Sequence, residues 1–183
     1  NLDPEDVAAR ITPRTKAIAV ISPNNPTGAI YPRETCRALA KLAHERGLLL
    51  ISDDIYSELV FDGDAAAPSV AQEPGPCVVL NGFSKNWLVP GWRAGYVAFK
   101  HDGELSEIKE GVLKQARSRL SASYPIQVAL AKALALGEGW VGAARGERDF
   151  IAMVVADTQF RARQAAKEAK RIGFPLVVKA AFG

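Results

Sequence analysis

Ser84, Lys85 and Arg93 lie within one stretch, N-G-F-S-K-N-W-L-V-P-G-W-R-A-G-Y (81–96), with the arginine eight residues beyond the lysine. A hydroxyl, an amine and a guanidinium gathered in one place can hold a phosphate beside a nucleophilic nitrogen. Asp53 and Tyr56 stand three apart in S-D-D-I-Y (52–56), and Asn25 lies in S-P-N-N-P-T-G (22–28). Taken singly, S-K reads as a surface turn, the Asn-rich segment as a tight turn, and Asp53 or Asp54 as a cap on the turn that follows. What sets these residues apart is where they fall along the chain.

Each follows a short apolar run rich in β-branched residues: 17–21 (A-I-A-V-I), 48–51 (L-L-L-I) and 77–80 (C-V-V-L). Such runs read as buried strands. Helical stretches separate them, with Pro4 to Arg10 capped by Asp3, and Pro32 to about Arg46 stopped by Gly47. Cys36, Leu39, Ala40, Leu42 and Ala43 give the second helix its apolar face. Strands alternating with helices predict an α/β fold with a mostly parallel sheet, whose ligands sit at the carboxyl ends of the strands. The 48–52 run lacks alternation, which predicts a strand covered on both faces. Three strand ends therefore deliver Asn25, then Asp53 and Tyr56, then Ser84, Lys85 and Arg93. A further strand is expected over 93–99, and helices over 103 to about 119 and 125–136. Residues 65–76, rich in Ala, Pro and Gly, read as a surface loop, and Trp87 and Trp92 as packing residues.

The three motifs N-N-P-T-G, D-D-I-Y and S-K-N-W-L-V-P-G-W-R, in this order, resemble the class I and II pyridoxal-phosphate (PLP) aminotransferases of the aspartate aminotransferase fold. The W-L-V-P-G-W-R wording is similar to the alanine and tyrosine aminotransferase branch. The resemblance spans roughly residues 1–150 and implies the central part of the large PLP-binding domain. It implies that Lys85 forms a Schiff base with the cofactor and, once freed, moves a proton on the substrate. A lysine does this only where burial or a neighbouring cation disfavours its ammonium, and Arg93 is the candidate neighbour. Asn25 and Tyr56 would hydrogen-bond the phenolic oxygen of PLP. Asp53, placed by the D-x-x-Y spacing, would pair with the pyridinium nitrogen, and Arg93 and Ser84 would hold the phosphate. Many relatives carry Ser three residues before the lysine, where this chain has Gly82, so one phosphate contact is expected to be lost or moved.

The remaining features bound the alternatives. With 183 residues, 48% hydrophobic and 23% charged, the composition is that of an ordinary globular protein. A net charge of +3 with the signs interspersed gives no basis for nucleic-acid binding. The apolar runs fall far short of the ~20 residues a membrane span requires, and no secretory leader is read at the start. Cys36 and Cys77 are expected to be buried, reduced thiols, and His44 and His101 lack metal-ligand spacing. A cytoplasmic protein is the resulting expectation.

The chain opens on Asn1 and reads as the interior of a longer protein, which the resemblance implies to be a homodimeric enzyme acting on an amino acid and a 2-oxo acid. In the resembled family the phosphate loop and ring-stacking residue come from earlier segments, and the arginine receiving the substrate carboxylate from later ones. Residues 143–155 read as the start of another long helix. Residues 151–183 read as a helix plus strand of uncertain affiliation, with Gly137, Gly139 and Gly142 interrupting before them. The tail from Arg163 to Gly183 resembles an ATP-grasp segment of biotin-dependent carboxylases, with Lys179 in the phosphate-reaching position. The alternatives to transamination are another PLP-dependent lyase or decarboxylase of the same fold, a fragment without activity, and, remotely, a piece of an ATP-grasp ligase.

Overall fold

The computed structural model describes residues 2–60, 66–85, 87, 89–120 and 122–146, the backbone alone for 136–146. The chain divides into two compact units, Asn1–Ala122 and Ser123–Gly183. The first contains a four-stranded sheet in the order β1 (Ala17–Ile21), β2 (Leu49–Asp53), β3 (Cys77–Gly82), β4 (Gly95–Lys100). β1, β2 and β3 run parallel, while β4 pairs antiparallel with β3. The three expected strands are therefore present, and their carboxyl ends lie side by side, with Ile21 in register with Asp53 and Asp53 with Leu80.

Helix α1 (Pro4–Arg10) starts as the sequence dictates: the Asp3 side chain accepts from the Glu5 amide at 2.9 Å, and Pro4 fills the first turn. Helix α2 (Arg33–Glu45) buries Cys36, Leu39, Ala40 and Ala43. These meet Ile18, Val20, Leu50 and Cys77 on one face of the sheet, closed from below by Val70 and Tyr31. Both thiols are buried and free, and burial pushes that of Cys77 up to about 11, which keeps it unreactive.

Two expectations are corrected. Along β2, Leu50 and Ser52 are buried while Leu49, Ile51 and Asp53 are only half-buried, and Leu80 and Val97 are exposed on the second face. Among the described residues one face is closed by the core, while the second is covered at Val78 and open at Leu80 and Val97. The lack of alternation reflects two apolar faces, only one of which is closed here. Residues 66–76 are not a loose surface loop either. Ala67, Val70, Ser69 and Glu73 are buried, and 70–72 form a short 3-10 turn (Val70–Gln72). Glu73 accepts from Arg33 at 3.4 Å and Arg37 at 3.3 Å, both on α2, and Lys100 of β4 donates to the carbonyls of Ala71 and Glu73. The small residues that suggested a loop are what allow the segment to lie against the sheet.

Helix α3 (Ser106–Ser118) follows β4 and belongs to the first unit. In the second unit α4 (Tyr124–Gly146) continues through Gly137, Gly139 and Gly142, which were expected to interrupt it. The glycine cost of roughly 1 kcal/mol each relative to alanine is outweighed by the good helix formers around them. No described helix is long and apolar enough to cross a membrane. The expected boundary near residue 150 and the tail with Lys179 lie outside the described residues, as does the 143–155 helix beyond Gly146.

Candidate functional site

Beyond β1 the chain turns through two cis peptides, Ser22–Pro23 and Asn25–Pro26. The turn is bracketed by Gly28 N–H donating to the Asn24 carbonyl at 2.7 Å and Asn24 N–H donating to Ala29 at 2.8 Å. Thr27 Oγ1 donates to Asn24 Oδ1 at 2.8 Å. Gly28 sits at φ +71°, a conformation suited to glycine. With Asn24 consumed inside the turn, Asn25 is the amide presented outward, and its Nδ2 donates to the Tyr56 hydroxyl at 3.2 Å.

Tyr56 is held by the turn that leaves β2. Asp53 Oδ1 accepts from Ile55 N–H at 3.2 Å, Ser57 N–H donates to the Asp54 carbonyl at 2.9 Å, and Asp54 N–H ties the turn to Leu80 of β3 at 2.9 Å. Asp54 is committed elsewhere. Its carboxylate accepts from Ser52 Oγ at 2.7 Å and lies 3.0 Å from Ser69 Oγ. Asp53 is half-buried at the strand end.

The third strand end presents the amine. Lys85 Nζ lies 5.5 Å from the centroid of the Tyr56 ring, a cation–π distance. Its pKa is lowered, first by burial and then by the positive charge of Arg93. Arg93 closes the 3-10 turn Pro90–Trp92 in the left-handed region, φ 51° and ψ 41°, and its Nη1 donates to the Pro90 carbonyl at 3.0 Å. Ser84 is half-buried between Lys85 and the buried Phe83. Phe83 in turn packs against Trp87 edge-on, at 5.8 Å between centroids, and against Tyr96 at 5.9 Å.

Asn25 and Lys85, 60 positions apart in sequence, thus both approach Tyr56, the first by a hydrogen bond to its hydroxyl and the second over its ring. Arg93 is felt at Lys85 through its charge, and Asp53 enters through the turn that carries Tyr56. An amide and a phenol that meet can grip one oxygen. An amine whose ammonium is disfavoured can add to a carbonyl carbon, and a guanidinium can hold an anion. Sequence reasoning did not find the Ser52–Asp54–Ser69 cluster or the facing glycines of β3 and β4. The signal for the cluster was present: two hydroxyls and a carboxylate around a predicted buried strand end require partners.

In comparisons with known proteins, the model of the family described as aminotransferase class I and II matches residues 1–179. An aspartate/prephenate aminotransferase of Thermus thermophilus is 49% identical over 94 residues, 51% of this chain and 24% of that protein. An alanine aminotransferase of Mycobacterium tuberculosis is 41% identical over 135 residues, 72% of this chain and 31% of that one. Among solved structures, an alanine aminotransferase from Pyrococcus furiosus superposes with a TM-score of 0.71 at 34% identity, over 92% of this chain and 41% of that chain. The chain therefore spans about a quarter to a third of the length of these curated relatives. The family match extends into the tail from Arg163, and the ATP-grasp reading of that tail finds no support in these comparisons.

Proposed function

The chain belongs to the class I and II aminotransferase family, and on that premise we propose that the whole protein is a PLP-dependent aminotransferase. It would move an amino group between an amino acid and a 2-oxo acid. The observation that carries this reading is the approach of Asn25 and of Lys85 to the same Tyr56, with the Lys85 ammonium disfavoured. The donor set fits PLP, which has a phenolic oxygen, a basic ring nitrogen, an aldehyde and a phosphate. When bound, PLP supplies an electrophilic carbon for the amino group and a ring that accepts the electron pair released at the substrate.

The residues of the chain divide the work around that group. Asn25 and Tyr56 would bind the phenolic oxygen, and the Asp53 carboxylate would favour a proton on the ring nitrogen. Arg93 would hold the phosphate, which a guanidinium can grip through paired N–H donors as lysine cannot, and Ser84 would add a hydroxyl. Lys85 would hold the cofactor and, once freed, would carry the proton that leaves the substrate's α-carbon. Neighbouring burial and the Arg93 charge favour its neutral form, the one that accepts a proton. We assign residues 1–150 to the large domain of such an enzyme and carry over from the resemblance a homodimeric, cytoplasmic protein. A second reading concerns the 183-residue chain by itself. Asn25 and Arg93 are exposed, which favours weak cofactor binding and no turnover until further segments enclose the site.

The test is turnover by the whole protein, supplied with PLP, an amino-acid donor and a 2-oxo acid acceptor. Formation of the donor's 2-oxo acid, abolished by Lys85→Arg, is expected. Turnover that survives Lys85→Arg contradicts the assignment of Lys85. Release of carbon dioxide or a β-leaving group without amino transfer moves the protein to another PLP chemistry of this fold.

A further inference from the structure

We propose that Asp54 is a positioning residue of this site: gripped by Ser52 and Ser69, it fixes the turn that presents Asp53 and Tyr56. The proposal rests on the PLP reading and deepens it. Asp54 adjoins Asp53, yet its carboxylate is drawn to the opposite face of the sheet, where Ser52 of β2 is buried and Ser69 is buried in the docked 66–76 segment. The contacts form a closed set. Ser52 Oγ donates to Asp54 Oδ1 at 2.7 Å, Ser69 Oγ lies 3.0 Å from both Asp54 oxygens, and the two Oγ atoms are 2.9 Å apart. Ser69 Oγ also accepts from the Ala71 amide at 3.0 Å.

The backbone of Asp54 works in the same direction. Its N–H is bound to Leu80 of β3, its carbonyl accepts from Ser57, and Ser57 in turn accepts from Ala67 N–H at 2.8 Å, again from the docked segment. That segment is anchored at its far end by Glu73 to Arg33 and Arg37 of α2, and by Lys100 of β4 to the carbonyls of Ala71 and Glu73. A continuous path of hydrogen bonds therefore leads from α2 and β4, through Ser69, to Asp54 and the Tyr56 turn. Burying a carboxylate is costly unless its oxygens are satisfied, and here the serines satisfy them. Asp54 itself is half-buried beside the two buried serines, and the cost of that partial burial appears in its raised pKa, with burial the leading cause. A polar cluster of this kind favours one arrangement of the turn over its neighbours, because any other arrangement leaves buried oxygens unpaired. The position of the Tyr56 hydroxyl against Asn25, and of Asp53 at the strand end, follows from it.

The experiment compares Asp54→Ala, Asp54→Asn and Ser69→Ala with the unsubstituted whole protein. PLP affinity is measured by titration of the apoprotein, and the pose of the bound cofactor by its visible circular-dichroism band. Both are read well below the melting temperature of each variant. Asp54→Ala is expected to weaken PLP binding about 10-fold, a loss of about 1.4 kcal/mol, and to remove most of the visible band. Asp54→Asn keeps one acceptor oxygen and falls between, and Ser69→Ala shifts both readouts in the same direction by less. A merely structural Asp54 would lower the melting temperature and leave affinity and band within twofold of the unsubstituted protein, which would overturn the proposal. Should Asp54→Ala not fold, an unchanged band and affinity in Ser69→Ala overturns it equally. If the unsubstituted protein itself forms no visible band and traps no PLP at Lys85, the cofactor reading falls, and the positioning role with it.

Discussion

Placing serine at Gly82, the residue the family resemblance led us to expect there, should damage this protein rather than add a phosphate contact. Gly82 is the last residue of β3 and faces Gly95, the first residue of β4. A Cβ at Gly82 would lie 3.0 Å from the Ala94 carbonyl oxygen, 3.1 Å from Gly95 Cα and 3.3 Å from Ile55 Cδ1. Ile55 can swing its methyl aside. The other two neighbours are backbone at and just before the start of β4, so β4 must retreat by a few tenths of an ångström; a Cβ added at Gly95 would likewise lie 3.0 Å from the Asn81 carbonyl oxygen. Overpacking of this kind costs ~1–3 kcal/mol. For a chain of this length that is a fall in melting temperature of roughly 2–12 °C. The retreat also separates the segments carrying Lys85 and Arg93, which flank the two glycines, so PLP affinity should fall.

Thermal unfolding followed by circular dichroism, together with PLP titration, checks both effects for Gly82→Ser and Gly82→Ala. Gly91→Ala is the control, because a Cβ there meets nothing within 4 Å, and it should change stability by no more than ~0.5 kcal/mol. A Gly82→Ser protein as stable as the parent that binds PLP more tightly would refute the reasoning. It would mean that the strands open without cost and that the serine finds the phosphate.

Tyr56→Phe removes the oxygen that accepts from Asn25 and that would hold the cofactor; losing about 1.4 kcal/mol of hydrogen bonding should raise the PLP dissociation constant roughly 10-fold, measured by titration. Lys85 has its pKa lowered from 10.5 by burial and by Arg93, so its charged form carries a penalty in the folded state below that lowered value, relieved as pH rises toward 10.5. Lys85→Met should therefore gain stability relative to the parent at neutral pH, a gain that shrinks across this alkaline window in denaturant titrations. Arg93→Leu removes one of the two causes, so the Lys85 pKa should rise and its modification by an aldehyde at fixed neutral pH should slow. Leu39→Ala opens a cavity at a fully buried position between α2 and the sheet and should cost ~2–5 kcal/mol by denaturant unfolding.

The strands and their order toward the site were legible because a buried strand writes itself as a short β-branched run, and the ends of three such runs carried the polar residues. The D-x-x-Y spacing singled out Asp53; what it did not reveal is that the adjacent Asp54 is held by Ser52 and Ser69. The docked 66–76 segment was illegible because Ala, Pro and Gly signal a turn whether or not the turn is packed. Its anchors, Arg33 and Arg37, lie about 40 positions away from Glu73, a pairing that no local pattern encodes. The glycines of α4 misled for a similar reason: propensity acts per residue, while the helix persists on the sum over its turns. Gly82 was noticed as a departure from the family wording, but the reason for it, an opposing backbone 3.0 Å from any added carbon, exists only once β3 and β4 are paired.

The most direct measurement is the chemical fate of Lys85 in the whole protein. PLP is added, the mixture is reduced with borohydride, and the modified peptides are mapped by mass spectrometry. If Asn25, Asp53, Tyr56, Lys85 and Arg93 converge on one cofactor, the pyridoxyl label falls on Lys85, at one equivalent per chain, and Asp53→Ala and Tyr56→Phe reduce its yield at limiting PLP. Label spread over surface lysines, or absent from Lys85 while the protein turns over its substrates, would contradict that convergence.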